Sequence, residues 1–178
     1  MRTFLFSLII LILLTSCRQD PFAKALTLYQ DNKIQSSLPY FQESCKNGTL
    51  KACKILSTLL LQNHQSPLQP LQYACKLGDV PSCQMGAKLS YTQDKQQFLA
   101  FVDSGCKWGN PQLCFTQSWY LYNAHDIDAS LKYAIKACYG GIIKACILGA
   151  SIYRDQKLDD EAQKLEAQRK KLRSLPTA

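Results

Sequence analysis

The sequence predicts an all-α solenoid of helical hairpins, each stapled by a disulfide. Three observations predict it. Eight cysteines fall into four pairs with seven residues between partners: Cys45 and Cys53, Cys75 and Cys83, Cys106 and Cys114, Cys138 and Cys146. The first members of these pairs recur at steps of 30, 31 and 32 residues, the span of a two-helix repeat. Aligned on them, the chain shows fixed columns: leucine seven places before (Leu38, Leu68, Leu99, Leu131) and glycine three places after (Gly48, Gly78, Gly109, Gly141).

The N-terminal element, MRTFLFSLIILILLTSC, has one charge, Arg2, and then an apolar run that is shorter than the roughly 20 residues a bilayer span needs. A charged start, a short apolar middle and small residues before a cysteine read as a secretory signal. Leu14-Thr15-Ser16-Cys17 resembles the bacterial lipobox, which marks Cys17 for acylation and accounts for the odd ninth cysteine. Next comes PFAKALTLYQDNK, expected to form a half-repeat helix covering the first unit. The expected organisation is a signal peptide over 1–16, a lipid-anchored N-terminus with a capping helix over 17–34, four repeats over 35–157, and a capping helix and tail over 158–178.

Within a repeat, Leu131, Ala134 and Cys138 follow a three-then-four spacing, which puts them on one face of a helix. Gly141 then suits the left-handed residue that closes a helix. Cys146, Ala150 and Tyr153 line the returning helix, and small residues four places after each second cysteine (Ser57, Ala87, Ser118, Ala150) allow close approach. Such a hairpin sets the last turn of one helix against the first of the next, within bridging range of roughly 4.4 to 6.8 Å between Cα atoms. Of the 105 pairings open to eight cysteines, the repeat therefore selects the four within units. Export to an oxidising compartment favours disulfides over thiols. Zinc sites use gaps of two to four residues, and neither His64 nor His125 lies inside a pair, so metal is the weaker reading. The tail carries Leu158, Ala162, Leu165 and Leu172 on a narrow apolar stripe, with acids at its start and bases near its end, and reads as a polar cap.

The chain now resembles the Sel1-like repeat proteins, relatives of the tetratricopeptide arrays, and among them the Helicobacter cysteine-rich protein family. The cores ACKLGDVPSC and ACYGGIIKAC and the leucine, glycine and tyrosine of CILGASIY carry the likeness, which runs from about Gln35 to Gln156. It implies a right-handed α/α solenoid. The units are shorter than that family's, the glycine-rich loop after the second helix is missing, and Ser44 and Gly105 replace an alanine. The resemblance also implies penicillin binding and weak β-lactamase activity. Ser104-Gly105-Cys106-Lys107 matches S-x-x-K, but Lys107 shares its column with Lys46 and Lys76, and neither S-D-N nor K-T-G occurs. No catalytic residue, metal or cofactor is expected.

What remains is surface. On the first helices the positions six and two before the cysteine face away from the leucine stripe and vary between units: Glu43 in the first, Gln69 with Tyr73, Ala100 with Ser104, and Lys132 with Lys136. Of these, Glu43, Gln69, Tyr73, Ser104, Lys132 and Lys136, with Trp108 and Tyr120 of the third unit, are the candidates for binding a protein or peptide segment in the concave groove of the solenoid. Trp119 and Tyr122 share a face of their helix while Tyr120 points elsewhere. With Arg2 lost in the signal the formal charge of +8 falls by one, and the remaining excess suits either anionic lipid and cell-envelope polymer or solubility alone; export speaks against nucleic acid. Arg18, in place of an aspartate after the lipid site, points to the outer membrane. A structural role in the envelope is the remaining alternative.

Overall fold

The computed structural model describes residues 20–174, so the signal segment and Cys17 lie outside the described residues. Within them run a single helix, four helical hairpins and a closing helix. The first is α1 (Pro21–Gln30). The hairpins are α2 (Ile34–Lys46) with α3 (Leu50–Gln62), α4 (Leu68–Lys76) with α5 (Val80–Ser90), α6 (Lys95–Lys107) with α7 (Pro111–Asn123), and α8 (Ile127–Tyr139) with α9 (Ile143–Asp155). The last is α10 (Asp159–Arg173). No strand occurs among the described residues. The fold is the all-α repeat solenoid that the columns predict.

Inside each hairpin the turn closes as its glycine requires. Gly48, Gly78, Gly109 and Gly141 have φ of 90°, 93°, 86° and 101°, a region glycine enters without steric cost. In the first unit Gly48 N donates to Cys45 O at 3.0 Å and Thr49 N to Ser44 O at 2.9 Å, which satisfies carbonyls at the end of α2. The turn is so tight that the second cysteine is already one turn into the next helix. Four bridges result, Cys45–Cys53, Cys75–Cys83, Cys106–Cys114 and Cys138–Cys146, with Cα separations of 4.6 to 4.8 Å.

The turns between units use a device that the sequence pattern did not reveal. Asn32, His64, His125 and Lys157 all have positive φ, from 55° to 62°. His64 N donates to Leu61 O at 3.1 Å and Gln65 N to Leu60 O at 2.8 Å, the same closure as in the glycine turns but with a side chain. Both histidines are thus exposed helix stops. The α5–α6 connection alone lacks such a residue: α5 is shorter, and Tyr91 continues it in right-handed geometry.

Each helix packs against both of its chain neighbours, so the buried face is wider than a single leucine stripe. Leu38, Leu68, Leu99 and Leu131 are only half-buried, whereas the residues just before them, Ser37, Pro67, Phe98 and Ser130, are buried. The core divides into three clusters, one around α1–α4 with Phe41, one around α4–α7 with Phe101 and Val102, and one around α6–α10 with two disulfides. All eight bridged cysteines are at most 2 % exposed, so the sulfurs also fill the core. Small residues set the close approaches. A Cβ on Gly86 would lie 2.2 Å from the Phe101 ring, and one on Gly105 would lie 2.1 Å from Leu113 Cδ1. Units three and four are tied by a buried exchange in which Ser118 Oγ donates to Ser130 O and Ser130 Oγ to Ser118 O, both at 2.9 Å. Such bonds satisfy hydroxyls that would otherwise be costly to bury.

The two ends differ slightly from expectation. At the N-terminus Asp20 caps α1, and Phe22 meets Phe41 edge to face with centroids 6.2 Å apart. At the C-terminus Ala162 and Leu165 are buried against α9, where Gly149 leaves room for Leu165. Leu158 is not part of that stripe: it precedes the helix and stays exposed. The reason is that α10 begins at Asp159, so Leu158 lies in the turn. Asp159, Asp160 and Glu161 in the first turn and Lys170, Lys171 and Arg173 in the last complement the helix dipole.

Candidate functional site

The third unit's second helix, α7, supplies one wall of a groove. Thr116, Trp119, Tyr120 and Asn123 recur at i, i+3, i+4 and i+7 and line it together, so Tyr120 does not point away from Trp119 as expected: residues four apart on a helix lie one above the other. Tyr91, Lys95 and Phe98, from the end of α5 and the start of α6, form the other wall around a cavity of about 400 Å³. The short α5 and its right-handed continuation at Tyr91 bring these residues to the rim.

The rings are fixed by one another. Tyr91 and Phe98 meet edge to face at 5.2 Å, with planes 74° apart, and Trp119 stacks on Tyr122 at 6.1 Å. Lys95 Nζ lies 5.1 Å from the centre of the Tyr120 ring, within cation–π range. Asp94 caps α6 by accepting from Gln97 N at 3.0 Å, and Asn123 Nδ2 donates to Trp119 O at 2.8 Å. Tyr91 is 68 % exposed and Trp119 53 %, while Phe98 forms the buried floor. Large exposed aromatic surface in a recess can hold apolar ligand groups.

Of the eight residues the sequence put forward for binding, only Tyr120 lines this groove. Glu43, Gln69 and Lys132 are exposed on the first helices. Tyr73 is half-buried and packs on the first core cluster, and Ser104 is half-buried as well. Lys136 donates to Cys106 O at 2.7 Å, which ties unit four to the end of α6. Trp108 lies over Gly78 of the preceding turn, with ring atoms 3.6 to 3.7 Å from where a Cβ would stand. Tyr73 and Lys136 therefore stabilise the stack, contrary to the expectation that both are free of it.

Exposed apolar side chains mark the second helices instead. Leu61 of α3, Met85 of α5, Trp119 of α7 and Ile147 of α9 are each exposed; the large exposed apolar residues of the first helices lie at or just past their ends, Tyr139 closing α8 and Leu77 and Trp108 following α4 and α6. A smaller groove of about 160 Å³ between α3 and α5 is lined by Leu61, Leu71, Pro81 and Met85. Beside it Asp79 caps α5 through Ser82 N and pairs with Lys54 at 3.1 Å. Burial pushes the Asp79 carboxyl up, but hydrogen bonds from the Ser82 hydroxyl, Lys54 and Ser82 N outweigh it and hold it below its ordinary value.

The S-x-x-K match gains nothing from geometry. Lys107 Nζ pairs with Asp103 at 2.7 Å, and that hydrogen bond raises its pKa. A lysine that activates a serine needs the opposite shift. No group of three or more His, Cys, Asp and Glu able to hold a metal occurs among the described residues. None of their helices is long and apolar enough to cross a membrane.

No family model matches the chain, and no curated protein matches it. Two crystal structures of MamA align with 86 % and 84 % of this chain and 93 % and 94 % of theirs, each with a TM-score of 0.47 and 11 % identity. A likeness of that degree bears on neither family nor function.

Proposed function

We propose that this chain is a protein-interaction scaffold of the bacterial cell envelope, anchored by lipid at Cys17, which engages a partner segment in the aromatic groove between α5, α6 and α7. The observation that carries the reading is the groove itself: a recess of about 400 Å³ whose exposed rings the core does not require. Rigid aromatic side chains make large contacts at low entropic cost, which is why they anchor interfaces. The stapled hairpins support the same reading, because they hold the groove's walls at fixed spacing before any partner arrives.

The lipid anchor, the outer-membrane location and the boundaries at 16, 34 and 157 belong to this proposal and rest on the sequence. A photoreactive phenylalanine analogue replacing Trp119 is expected to form covalent adducts with one partner in cells. The same analogue at Ser151, exposed on α9, serves as control. Equal adducts from both positions, or none from position 119, would refute the groove. For the anchor, Cys17→Ala is expected to abolish incorporation of labelled palmitate and release the protein from membranes. Unchanged labelling would remove the lipoprotein assignment.

A further inference from the structure

We infer that the α5–α7 groove takes an acidic peptide segment, with a ligand carboxylate against Lys95 and an apolar side chain among Tyr91, Phe98 and Trp119. This deepens the scaffold reading and rests on it. Lys95 is the one charged residue in the lining, which contains no carboxylate. It forms no ion pair among the described residues. Its ammonium already lies over the Tyr120 ring, so a cationic ligand group meets like charge where an aromatic cage would otherwise welcome it. The adjacent carboxylate, Asp94, is turned to cap α6. The full chain's formal charge of +8, lowered by one when Arg2 leaves with the signal, draws acidic partners over longer range.

Shape separates a peptide from other anionic ligands. The Tyr91 and Phe98 rings stand 74° apart, so together they form a notch that fits a single side chain. Asn123, the one amide in the lining, commits one of its two N–H donors to Trp119 O, which fixes the side chain against its own helix. A bilayer surface is met by protruding apolar side chains, whereas these rings enclose a recess with Phe98 as its floor. An extended segment can insert one side chain there while its neighbour reaches Lys95.

The test uses the full-length protein in detergent micelles and three fluorescein-labelled decapeptides, of alternating Glu and Leu, Gln and Leu, or Lys and Leu. The Glu peptide is expected to bind at least about tenfold more tightly than the Gln peptide, and the Lys peptide not at all. Lys95→Gln should bring the Glu peptide to the level of the Gln peptide, and Trp119→Ala should weaken both. The preference should shrink at high salt, where screening shortens the reach of exposed charge. Both positions are exposed on the surface, and helical circular dichroism checks that the variants fold. Equal affinity for the three peptides, or a Glu preference that survives Lys95→Gln, overturns the inference. So does binding to phosphatidylglycerol vesicles or peptidoglycan fragments that depends on Trp119 while the peptides fail. If partner adducts from position 119 persist without any acidic preference, the scaffold reading stands and the acidic ligand falls. Loss of those adducts refutes the scaffold reading itself.

Discussion

Replacing Gly86 by alanine puts general propensity and particular packing in opposition. Gly86 is buried inside α5, and alanine in a helix interior is favoured over glycine by about 1 kcal/mol. The added Cβ, however, would stand 2.2 Å from the Phe101 ring, where ordinary contact begins at 3.4 Å, so the ring must retreat by 3.4 − 2.2 = 1.2 Å. Phe101 is only 1 % exposed and sits in the α4–α7 cluster, with no solvent to yield into. Overpacking costs about 1 to 3 kcal/mol, and displacement of a rigid buried ring belongs at the upper end. The net expectation is a loss of about 1 to 2 kcal/mol, a fall in Tm of roughly 2 to 8 °C for a chain of this size. Urea unfolding followed by circular dichroism, with disulfides intact, measures it. In a Phe101→Leu background the same substitution should cost little or become stabilising, a coupling that a double-mutant cycle isolates. Gly86→Ala that stabilises the native chain, or costs the same in both backgrounds, would refute the argument. The groove depends on this contact, because α6 carries Lys95 and Phe98 on the same helix as Phe101.

Two further outcomes follow from the geometry. Asp79 has its folded-state pKa below the ordinary value near 3.8, so its stabilisation is present above about pH 4 and is lost as pH falls through the folded value. Asp79→Asn, which keeps a capping side chain but not the Lys54 pair, should cost about 0.5 to 1 kcal/mol at pH 7, since Lys54 is 54 % exposed and screened, and the gap to the native protein should close in acid. An unchanged gap from pH 7 to pH 3 would count against the ion pair. Replacing Cys75 and Cys83 together by alanine removes a nine-residue closed loop and should cost about 2.5 kcal/mol by chain entropy; a loss under 1 kcal/mol would mean that stacking alone holds the unit.

Much of the fold was legible because it is written four times. The cysteine spacing, the glycine three places on and the small residues of the second helix are local constraints, and repetition separates them from chance. The pairing of Cys45 with Cys53 and its three equivalents needs only a tight turn between two helices, which local sequence can specify. The segment from Pro21 was expected to form a helix as a half-repeat, and the structure adds the Asp20 cap that starts it. Less was legible where neighbours decide. The leucine column looked like the buried stripe, but each helix meets two others, and Phe98 and Ser130 lie deeper than Leu99 and Leu131. His64 and His125 gave no sign of left-handed geometry, because histidine, though it enters that region more often than most residues, does so at a small minority of its positions.

The binding surface shows the division most plainly. Variation on the first helices drew attention to Tyr73 and Lys136, yet Tyr73 packs on the core and Lys136 reaches across to the Cys106 carbonyl. Both contacts cross from one unit to the next, and no column within a unit records them. The groove joins Tyr91, Lys95 and Phe98 to Trp119 and Tyr120 over some thirty residues of chain. Its walls meet because α5 ends early and α6 folds back onto α7. Sequence by itself thus determined the hairpin, its turn and its staple, all set by interactions within about ten residues. Tertiary structure alone decided which exposed side chains are free and where they converge, because that depends on how one rigid hairpin docks against the next.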